Sequence, residues 1–393
     1  MRINDVCHSC GSQGVSIFYR LYDVPVHSVA LITTPKLALN YPKGEISLGF
    51  CNECGFISNT TFDPDLVKYS SGYESTQVFS PTFNAFAHRL AAQIIERHNL
   101  YNKTVLEIGC GNGEFLSILC ELGDNQGVGF DPAYESERSP NKAKKRFKVI
   151  KDYYSEKYID YHADFVCCRM TLEHIQFTSD FVKMVRRSVG DRAETIIFFQ
   201  IPDVTRILED CAFEDIYYEH CSYFSPGSLA RMFRKCGFDV IRLETDYEGQ
   251  YLMIEAKPAN QKPLLYLPQE NDLETIGELV LSFENRCREK VFQWKKRIED
   301  IRKSKGQIVI WGSGSKGVSF LTTLKIRDEI KFVVDVNPHR QVTYMPVTGQ
   351  KIVSPDFLRE YLPDFVIVMN SVYVNEIKKD LDRLGLSPQV LAL

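Results

Sequence analysis

A glycine-rich loop near residue 110 constrains the fold of this chain more than any other feature of its sequence. The apolar run Thr104 to Ile108 leads directly into a loop that contains Gly109, Gly111 and Gly113. Because glycine has no Cβ atom, such a loop lets a ligand lie against its backbone. Further apolar runs alternate with helical stretches along the chain, at residues 127–130, 165–168 and 195–200. This alternation predicts parallel strands in a doubly wound α/β sheet.

The residues around this loop indicate a nucleoside ligand. Glu107 precedes the glycines, and Asp131 ends the next predicted strand about twenty residues farther on, where a carboxylate can accept hydrogen bonds from both ribose hydroxyls. The pattern Glu-x-Gly-x-Gly-x-Gly is similar to the loop that binds S-adenosylmethionine (SAM), and it differs from the dinucleotide pattern. A bare glycine turn or another nucleotide is the alternative. The predicted SAM contacts are Glu107, Gly109, Cys110, Gly111, Gly113, Asp131 and Pro132.

The length of 393 residues exceeds what one core usually supports, so two or three domains are expected. An amphipathic helix is predicted over residues 82–98, an antiparallel strand pair over 239–244 and 251–257, and a long helix over 273–303. Residues 258–268 are polar and proline-rich, which is typical of a linker. The predicted division is a metal-binding module (1–69), a SAM-binding domain (70–258), a linker with the long helix (259–304) and a second, smaller α/β domain (305–393).

Two Cys-x-x-Cys pairs lie in the first sixty residues. Cys7, Cys10, Cys51 and Cys54 supply four thiolates, the donor set that tetrahedral Zn²⁺ prefers at structural sites. His8 is an alternative ligand, and unpaired thiols are the alternative to a metal site. All four positions would be filled, so we expect no catalysis by this zinc. The other eight cysteines are scattered and are expected to pack in the core.

The densest cluster of polar and aromatic residues spans 217–225 and follows a predicted strand. His220 is the best candidate for a general base, because an unperturbed imidazole has a pKa of about 6.5. Tyr218 and Glu219 precede it, and we expect one to orient the ring and the other to donate to a developing oxyanion. Capping and packing are the alternative, since Ser225-Pro226 also begins a predicted helix.

Two further motifs follow predicted strands. His174 lies in the stretch Thr171-Leu-Glu-His-Ile175, which is widespread among SAM methyltransferases, so it is either catalytic or a marker of the fold. The second glycine loop, residues 311–317, is expected to contact phosphate through backbone N–H groups and Lys316. Asn337 follows the next strand. The alternatives for this loop are a nicotinamide-type site and a tight turn.

Charge and hydropathy exclude some partners. The formal net charge is -4, and the sequence has no stripe of basic residues of the kind that nucleic-acid-binding proteins carry. No apolar run reaches the roughly 18 residues that a membrane crossing needs, and the first ten residues lack the order of a secretion signal. We expect a cytoplasmic protein without nucleic-acid or membrane partners. The oligomeric state is open, and a monomer is compatible with the sequence.

Four motifs, in the order in which they follow one another along the chain, resemble the three-domain sugar C-methyltransferases, which act on nucleotide-linked 4-keto-6-deoxy sugars. They are the paired Cys-x-x-Cys motifs, the loop from Glu107 to Gly113, the cluster Tyr218-Glu-His220 ahead of Tyr223-Phe-Ser225, and the loop Gly312 to Gly317 with Asp335-x-Asn-Pro338. The resemblance implies an N-terminal zinc module, a central class I SAM methyltransferase sheet and a C-terminal Rossmann-like domain. It also implies methylation at C3 of the sugar through an enolate, with His220 as the base and Tyr73 lining the active site. The implied substrate contacts are Ser315, Lys316 and Asn337.

Three other functions stay open on the sequence alone. The first is an O- or N-methyltransferase of a small metabolite or sugar nucleotide. The second is an RNA methyltransferase or RNA-binding protein with a zinc module, against which the acidic balance argues. The third is a non-catalytic sensor of SAM or of a nucleotide.

Overall fold

The computed structural model describes residues 6–67, 69, 72–139, 146–259 and 265–393, and in these residues the strands form three sheets. The strands are β1 (Val15–Pro25), β2 (Lys43–Cys51), β3 (Ile57–Asn59), β4 (Thr104–Ile108), β5 (Gln126–Phe130), β6 (Phe147–Ile150), β7 (Phe165–Arg169), β8 (Ile196–Pro202), β9 (Ser222–Tyr223), β10 (Phe238–Asp246), β11 (Tyr251–Pro258), β12 (Ile308–Trp311), β13 (Phe332–Val334), β14 (Lys351–Val353), β15 (Phe365–Val368) and β16 (Gln389–Ala392). The α-helices are α1 (Pro35–Leu39), α2 (Pro81–His98), α3 (Glu114–Gly123), α4 (Thr178–Val189), α5 (Val204–Glu209), α6 (Pro226–Lys235), α7 (Leu273–Lys303), α8 (Ser315–Leu324), α9 (Leu358–Tyr361) and α10 (Val374–Leu384).

The central sheet has the strand order β10-β11-β8-β7-β4-β5-β6. Strands β4 to β8 pair in parallel, whereas β11 runs antiparallel to both β8 and β10. Helices α2 and α3 cover one face of the sheet and α4 and α6 cover the other, so β4 and β7 are buried at nearly every position. This confirms the doubly wound α/β fold and the antiparallel pair at its edge.

The C-terminal sheet, in the order β14-β13-β12-β15-β16, is entirely parallel. It is the smaller Rossmann-like domain that the sequence predicts. Its strands β12, β13 and β15 lie in the apolar runs at residues 308–311, 331–336 and 364–369 of the sequence. Strands β6, β14 and β16 were not predicted, because each has only three or four residues and carries polar side chains.

The N-terminal sheet is antiparallel, in the order β1-β2-β3-β9. Its last strand, β9, comes from the segment that follows the central strand β8. Pairing of Ile57 with Tyr223 therefore fixes the segment before β9 against the N-terminal module.

Helix α7 joins the N-terminal and C-terminal sheets into one core. Its buried side chains, among them Phe283 and Trp294, belong to an apolar cluster that also contains Ile46 of β2 and Ile310 of β12. The small N-terminal module thus buries its sheet against the rest of the chain, as a domain of its size requires. The predicted domain limits stay a prediction, and residues 70 and 260–264 at two of them lie outside the described residues.

None of the helices in the described ranges combines the length and the apolar composition that a bilayer crossing needs.

Candidate active site

A cavity of about 750 Å³ lies between the carboxyl ends of the central strands and the C-terminal domain. It is lined by the glycine loop after β4, by the segment 73–80, by His220 and its neighbours, and by the second glycine loop after β12. The carboxyl ends of parallel strands are where α/β sheets bind their ligands. Motifs separated by more than two hundred residues therefore meet in one space.

The first glycine loop has a backbone that other residues adopt only with strain. Gly109, Gly111 and Gly113 have φ angles of 69°, 55° and 86°. A Cβ atom on Gly109 would lie 2.0 Å from Oγ1 of Thr171. Asp131 accepts the Gly111 N–H at 2.9 Å, which fixes its carboxylate beside the loop at the edge of the cavity. The predicted contacts Cys110 and Pro132 also line the cavity.

Glu107 is buried directly behind this loop. Its side chain is almost inaccessible to solvent, and Oε2 has no hydrogen-bond partner in the described structure. Burial raises the pKa of Glu107 to about 8, although the positive charge of Arg169 opposes the shift. A buried carboxyl with an unsatisfied oxygen on a cavity wall fits a ligand that carries a hydrogen-bond donor.

His220 lies at the wall of the cavity, just before β9. Its Nε2 atom is 2.8 Å from the hydroxyl of Tyr217, and the two ring centroids are 4.0 Å apart. Burial lowers the pKa of His220 well below its usual range, and His174 and Lys316 add to the shift. The imidazole is therefore neutral at neutral pH, the form that accepts a proton.

His174 and Glu173 stand beside His220. The ring centroids of His174 and His220 are 4.8 Å apart, and Nδ1 of His174 is 2.8 Å from the hydroxyl of Tyr69. Burial lowers the pKa of His174 to about 4. Oε1 of Glu173 lies 4.0 Å from Nε2 of His220, and burial raises the pKa of Glu173 to about 8. The site thus brings together two neutral imidazoles and a protonated carboxyl at neutral pH.

Tyr218 lies outside the cavity, contrary to the expectation that it faces a reacting substrate. Its hydroxyl accepts the backbone N–H of Asp63 at 2.9 Å, and its ring packs on Phe62 in the apolar core of the N-terminal sheet. Residues 217–220 form a turn in which the backbone N–H of His220 donates to the carbonyl of Tyr217 at 3.1 Å. Tyr217 and Tyr218 face different sides of this turn, and the tyrosine that contacts His220 is Tyr217, which the sequence does not single out.

Glu219 and Tyr73 join the N-terminal module to the site. One oxygen of Glu219 accepts the backbone N–H of Ser28 at 2.8 Å and also the Ser28 hydroxyl. Burial raises the pKa of Glu219 to about 7, while hydrogen bonds from Ser28 and Tyr73 oppose the shift. Tyr73 lines the cavity and pairs through its backbone with Ala30. Glu219 itself is buried behind the cavity wall and orients this wall.

The second glycine loop repeats the geometry of the first. Asp335 accepts the Ser313 N–H at 3.0 Å, as Asp131 accepts that of Gly111. A Cβ atom on Gly317 would lie 2.3 Å from the carbonyl oxygen of Gly312, so the turn admits only glycine there. The loop therefore presents its backbone at close range to the cavity.

The three predicted substrate contacts line the cavity on this side. The hydroxyl of Ser315 is 2.8 Å from that of Ser28, and Asn337 donates to Glu74 at 3.1 Å. Lys316 forms an ion pair with Asp215, and Arg206 contacts the same carboxylate at 2.6 Å. Arg206 also pairs with Asp210 at 3.3 Å, so Asp215 and Asp210 hold the two cations at the cavity wall.

The four predicted zinc ligands lie together in the N-terminal module, away from the cavity. Their sulfur atoms are within 4.8 Å of one another, and the pairs Cys7–Cys54 and Cys10–Cys51 are each 3.6 Å apart. A tetrahedral Zn²⁺ with Zn–S bonds of about 2.3 Å needs sulfur separations of about 3.8 Å. The donor set thus fits Zn²⁺. His8 instead makes a hydrogen bond of 3.1 Å to the carbonyl of Gln176.

Two family models match the chain. Residues 83–243 match a methyltransferase domain, and residues 258–385 match a domain described as the C-methyltransferase C-terminal domain. These matches confirm the methyltransferase fold of the central domain and support the resemblance to C-methyltransferases. The domain that follows is similar to the C-terminal domain of C-methyltransferases.

One curated relative is the C-methyltransferase NovU of Streptomyces niveus, 25% identical over 191 residues. The match covers 46% of this chain and 46% of NovU, about half of each length. Among solved structures, the chain is similar to a riboflavin-analogue dimethyltransferase (RosA) of Streptomyces davawensis, with 15% identity, a TM-score of 0.37 and coverage of 45% of this chain and 56% of that chain. The magnesium protoporphyrin IX methyltransferase of Synechocystis PCC 6803 gives 13% identity, a TM-score of 0.35 and coverage of 47% and 89%.

Proposed function

We propose that this protein transfers a methyl group from SAM to C3 of a nucleotide-linked 4-keto-6-deoxy sugar, through an enolate that His220 generates. The observation that carries the proposal is the single cavity lined by the SAM-type loop, by His220 and by the second glycine loop. Methyl transfer requires donor and acceptor carbons about 3 to 3.5 Å apart, so cofactor, base and substrate must share one space.

The loop after β4 holds the cofactor in this proposal. Gly109, Gly111 and Gly113 let the nucleoside lie on the backbone, and Asp131 accepts from the ribose hydroxyls. SAM supplies an electrophilic methyl group. The protein's task is to hold that group in line with the nucleophilic carbon and to keep water out.

The base is the neutral imidazole of His220. The C4 ketone acidifies the neighbouring C3–H, and Nε2 accepts that proton when the substrate takes the position next to it. Tyr217 now shares a hydrogen bond with Nε2, and its burial raises its pKa well above the usual range. It is therefore a neutral donor, suited to stabilise the enolate oxygen.

Tyr73 is the second candidate donor to the enolate. It lines the cavity, and its pKa is also raised well above the usual range by burial and by Glu219. His174 and Glu219 act as positioning residues. Each holds a segment of the wall through hydrogen bonds, His174 with Tyr69 and Glu219 with Ser28.

The nucleotide part of the substrate binds at the second glycine loop. Lys316 and Arg206 offer positive charge to its phosphates, and Ser315 and Asn337 offer hydrogen bonds. The Cys₄ cluster holds a structural Zn²⁺ with no free coordination position. Its role is to stabilise the module that carries Ser28 and the partner strand of β9.

The test is product detection by mass spectrometry with SAM and a panel of dTDP-, GDP- and CDP-linked 4-keto-6-deoxy sugars. We expect one sugar to gain the mass of a methyl group, and NMR of the product to give a methyl group bonded to C3. A methyl group on oxygen or nitrogen would identify an O- or N-methyltransferase and contradict the proposal.

A further inference from the structure

Arg169 is a buried cation in the cavity wall that the proposed function has not used. It is the last residue of β7, and its guanidinium carbon stacks 3.8 Å from the centroid of the Phe115 ring. Its Nε atom donates to Oε1 of Gln200 at 2.7 Å. Its Nη2 atom has no hydrogen-bond partner, and no carboxylate among the described residues forms an ion pair with it.

A buried guanidinium without an anion is costly, because desolvation is not offset by a partner charge. Burial accordingly lowers the pKa of Arg169, against the opposing effect of Glu107. A buried guanidinium of this kind is stabilised when a bound ligand supplies the anion that the protein lacks. The planar fork of an arginine matches a carboxylate, which can accept two parallel N–H bonds.

The strand register locates this cation beside the cofactor loop. Ile108 of β4 pairs with Cys168 of β7, so Arg169 lies next to Gly109 at the carboxyl end of the sheet. Glu107 lies on the neighbouring strand, with Oε2 also unpartnered. An unsatisfied cation and an unsatisfied carboxyl oxygen, a strand apart on one cavity wall, complement the carboxylate and the N–H donors of an α-amino acid.

We propose that Arg169 binds the α-carboxylate of the methionine part of SAM, while Glu107 accepts a hydrogen bond from its α-ammonium group. The inference rests on the proposed function for the cofactor but not for the sugar. The other anion expected in the cavity is the diphosphate of the substrate. Lys316 and Arg206 meet at Asp215 beside the loop after β12, whereas Arg169 ends β7 next to the cofactor loop.

The experiment is calorimetric binding of S-adenosylhomocysteine and of its decarboxylated analogue, S-adenosyl-3-thiopropylamine, to the intact chain. The wild type should bind S-adenosylhomocysteine about 10- to 100-fold more tightly than the analogue, the effect of a charge-assisted, two-point contact. Arg169→Met should remove this difference by weakening only S-adenosylhomocysteine. Methionine keeps the apolar contact with Phe115, so the variant should unfold at no lower temperature than the wild type without ligand.

Two further variants complete the design. Arg288→Met, at an exposed position of α7, makes the same chemical change outside the cavity and should leave both affinities unchanged. Arg169→Lys keeps the charge but not the fork, so its affinity for S-adenosylhomocysteine should be intermediate. An undiminished preference for S-adenosylhomocysteine in Arg169→Met would overturn the inference, as would equal weakening of both ligands. Failure of the wild type to bind either ligand would instead contradict the proposed function.

Discussion

The hydroxyl of Tyr217 lies 2.8 Å from Nε2 of His220, and both side chains line the cavity that also contains the cofactor loop. This pair depends on strand β9, which pairs with β3 and so fixes the segment 217–221 against the N-terminal module. The segment after β8 therefore carries the reactive groups, and the N-terminal module supplies their rigid backing.

Tyr217 and Tyr218 are adjacent, but only Tyr217 faces the cavity. Tyr217→Phe should lower kcat by roughly two orders of magnitude, because it removes a donor to the enolate. Tyr218→Phe should leave kcat within about twofold of the wild type and lower the free energy of unfolding by about 1 kcal/mol, the value of its bond with Asp63. Steady-state kinetics and urea unfolding of the two variants measure these effects. Equal losses of kcat in the two variants would contradict the conclusion that only Tyr217 faces the cavity.

The pH dependence of kcat/KM reports the ionisation of the base. His220 must be neutral to accept a proton, so activity is lost as the pH falls through its pKa. Because burial lowers that pKa well below 6.5, the loss of kcat/KM that belongs to His220 should occur only below pH 6. The pKa values of Glu219 and Glu173 are about 7 and about 8, so Glu219→Gln and Glu173→Gln variants separate their effects from that of His220. Rates across this range, with enzyme stability checked at each pH, test the point. An acidic limb with a midpoint at 6.5 or above that persists in both variants would contradict a buried, neutral His220.

A substitution in the second glycine loop tests whether this loop contributes to substrate binding. Gly317→Ala adds a Cβ atom 2.3 Å from the Gly312 carbonyl oxygen, so the loop must move. We expect KM for the nucleotide sugar to rise roughly tenfold or more, while affinity for S-adenosylhomocysteine stays unchanged. Gly277→Ala, in α7 and outside the cavity, meets no atom within 4 Å and should match the wild type. An unchanged KM in Gly317→Ala would remove the loop from substrate binding.

The cysteine cluster predicts one zinc ion per chain. Cys51→Ser should lose the metal and lower the unfolding temperature by roughly 10 °C, because metal binding contributes directly to folding. Cys211→Ser removes a core thiol elsewhere and should keep one equivalent of zinc. Metal analysis with calorimetric unfolding measures both quantities. Full zinc content in Cys51→Ser would show that Cys51 is not a ligand.

Long, strongly periodic segments could be predicted from the sequence. The ends of β4 and α7 coincide with the predicted limits, because each has a regular apolar pattern between turn or polar residues. The first glycine loop with Asp131 and the two Cys-x-x-Cys pairs could also be predicted. Each of these motifs is recognised from the short spacing of its residues in the sequence.

The orientation of the reactive side chains could not be predicted in this way. Residues 217–221 form no regular element, so periodicity does not say which tyrosine faces inward. That choice depends on β9 pairing with β3, more than 160 residues earlier in the chain. Arg169 was missed for a related reason. In the sequence it is only the last residue of a buried strand. Its unpaired charge is recognised only when the structure places it on Phe115 and near Glu107.

The most direct test of the account is solvent deuterium exchange at C3 of the accepted sugar substrate, followed by NMR in D₂O with S-adenosylhomocysteine in place of SAM. The wild type should exchange the C3 proton without methyl transfer. His220→Asn should abolish both exchange and turnover, while its affinity for S-adenosylhomocysteine stays nearly unchanged. Exchange at the wild-type rate in His220→Asn, or methylation by the wild type without any exchange at C3, would contradict an enolate formed by His220.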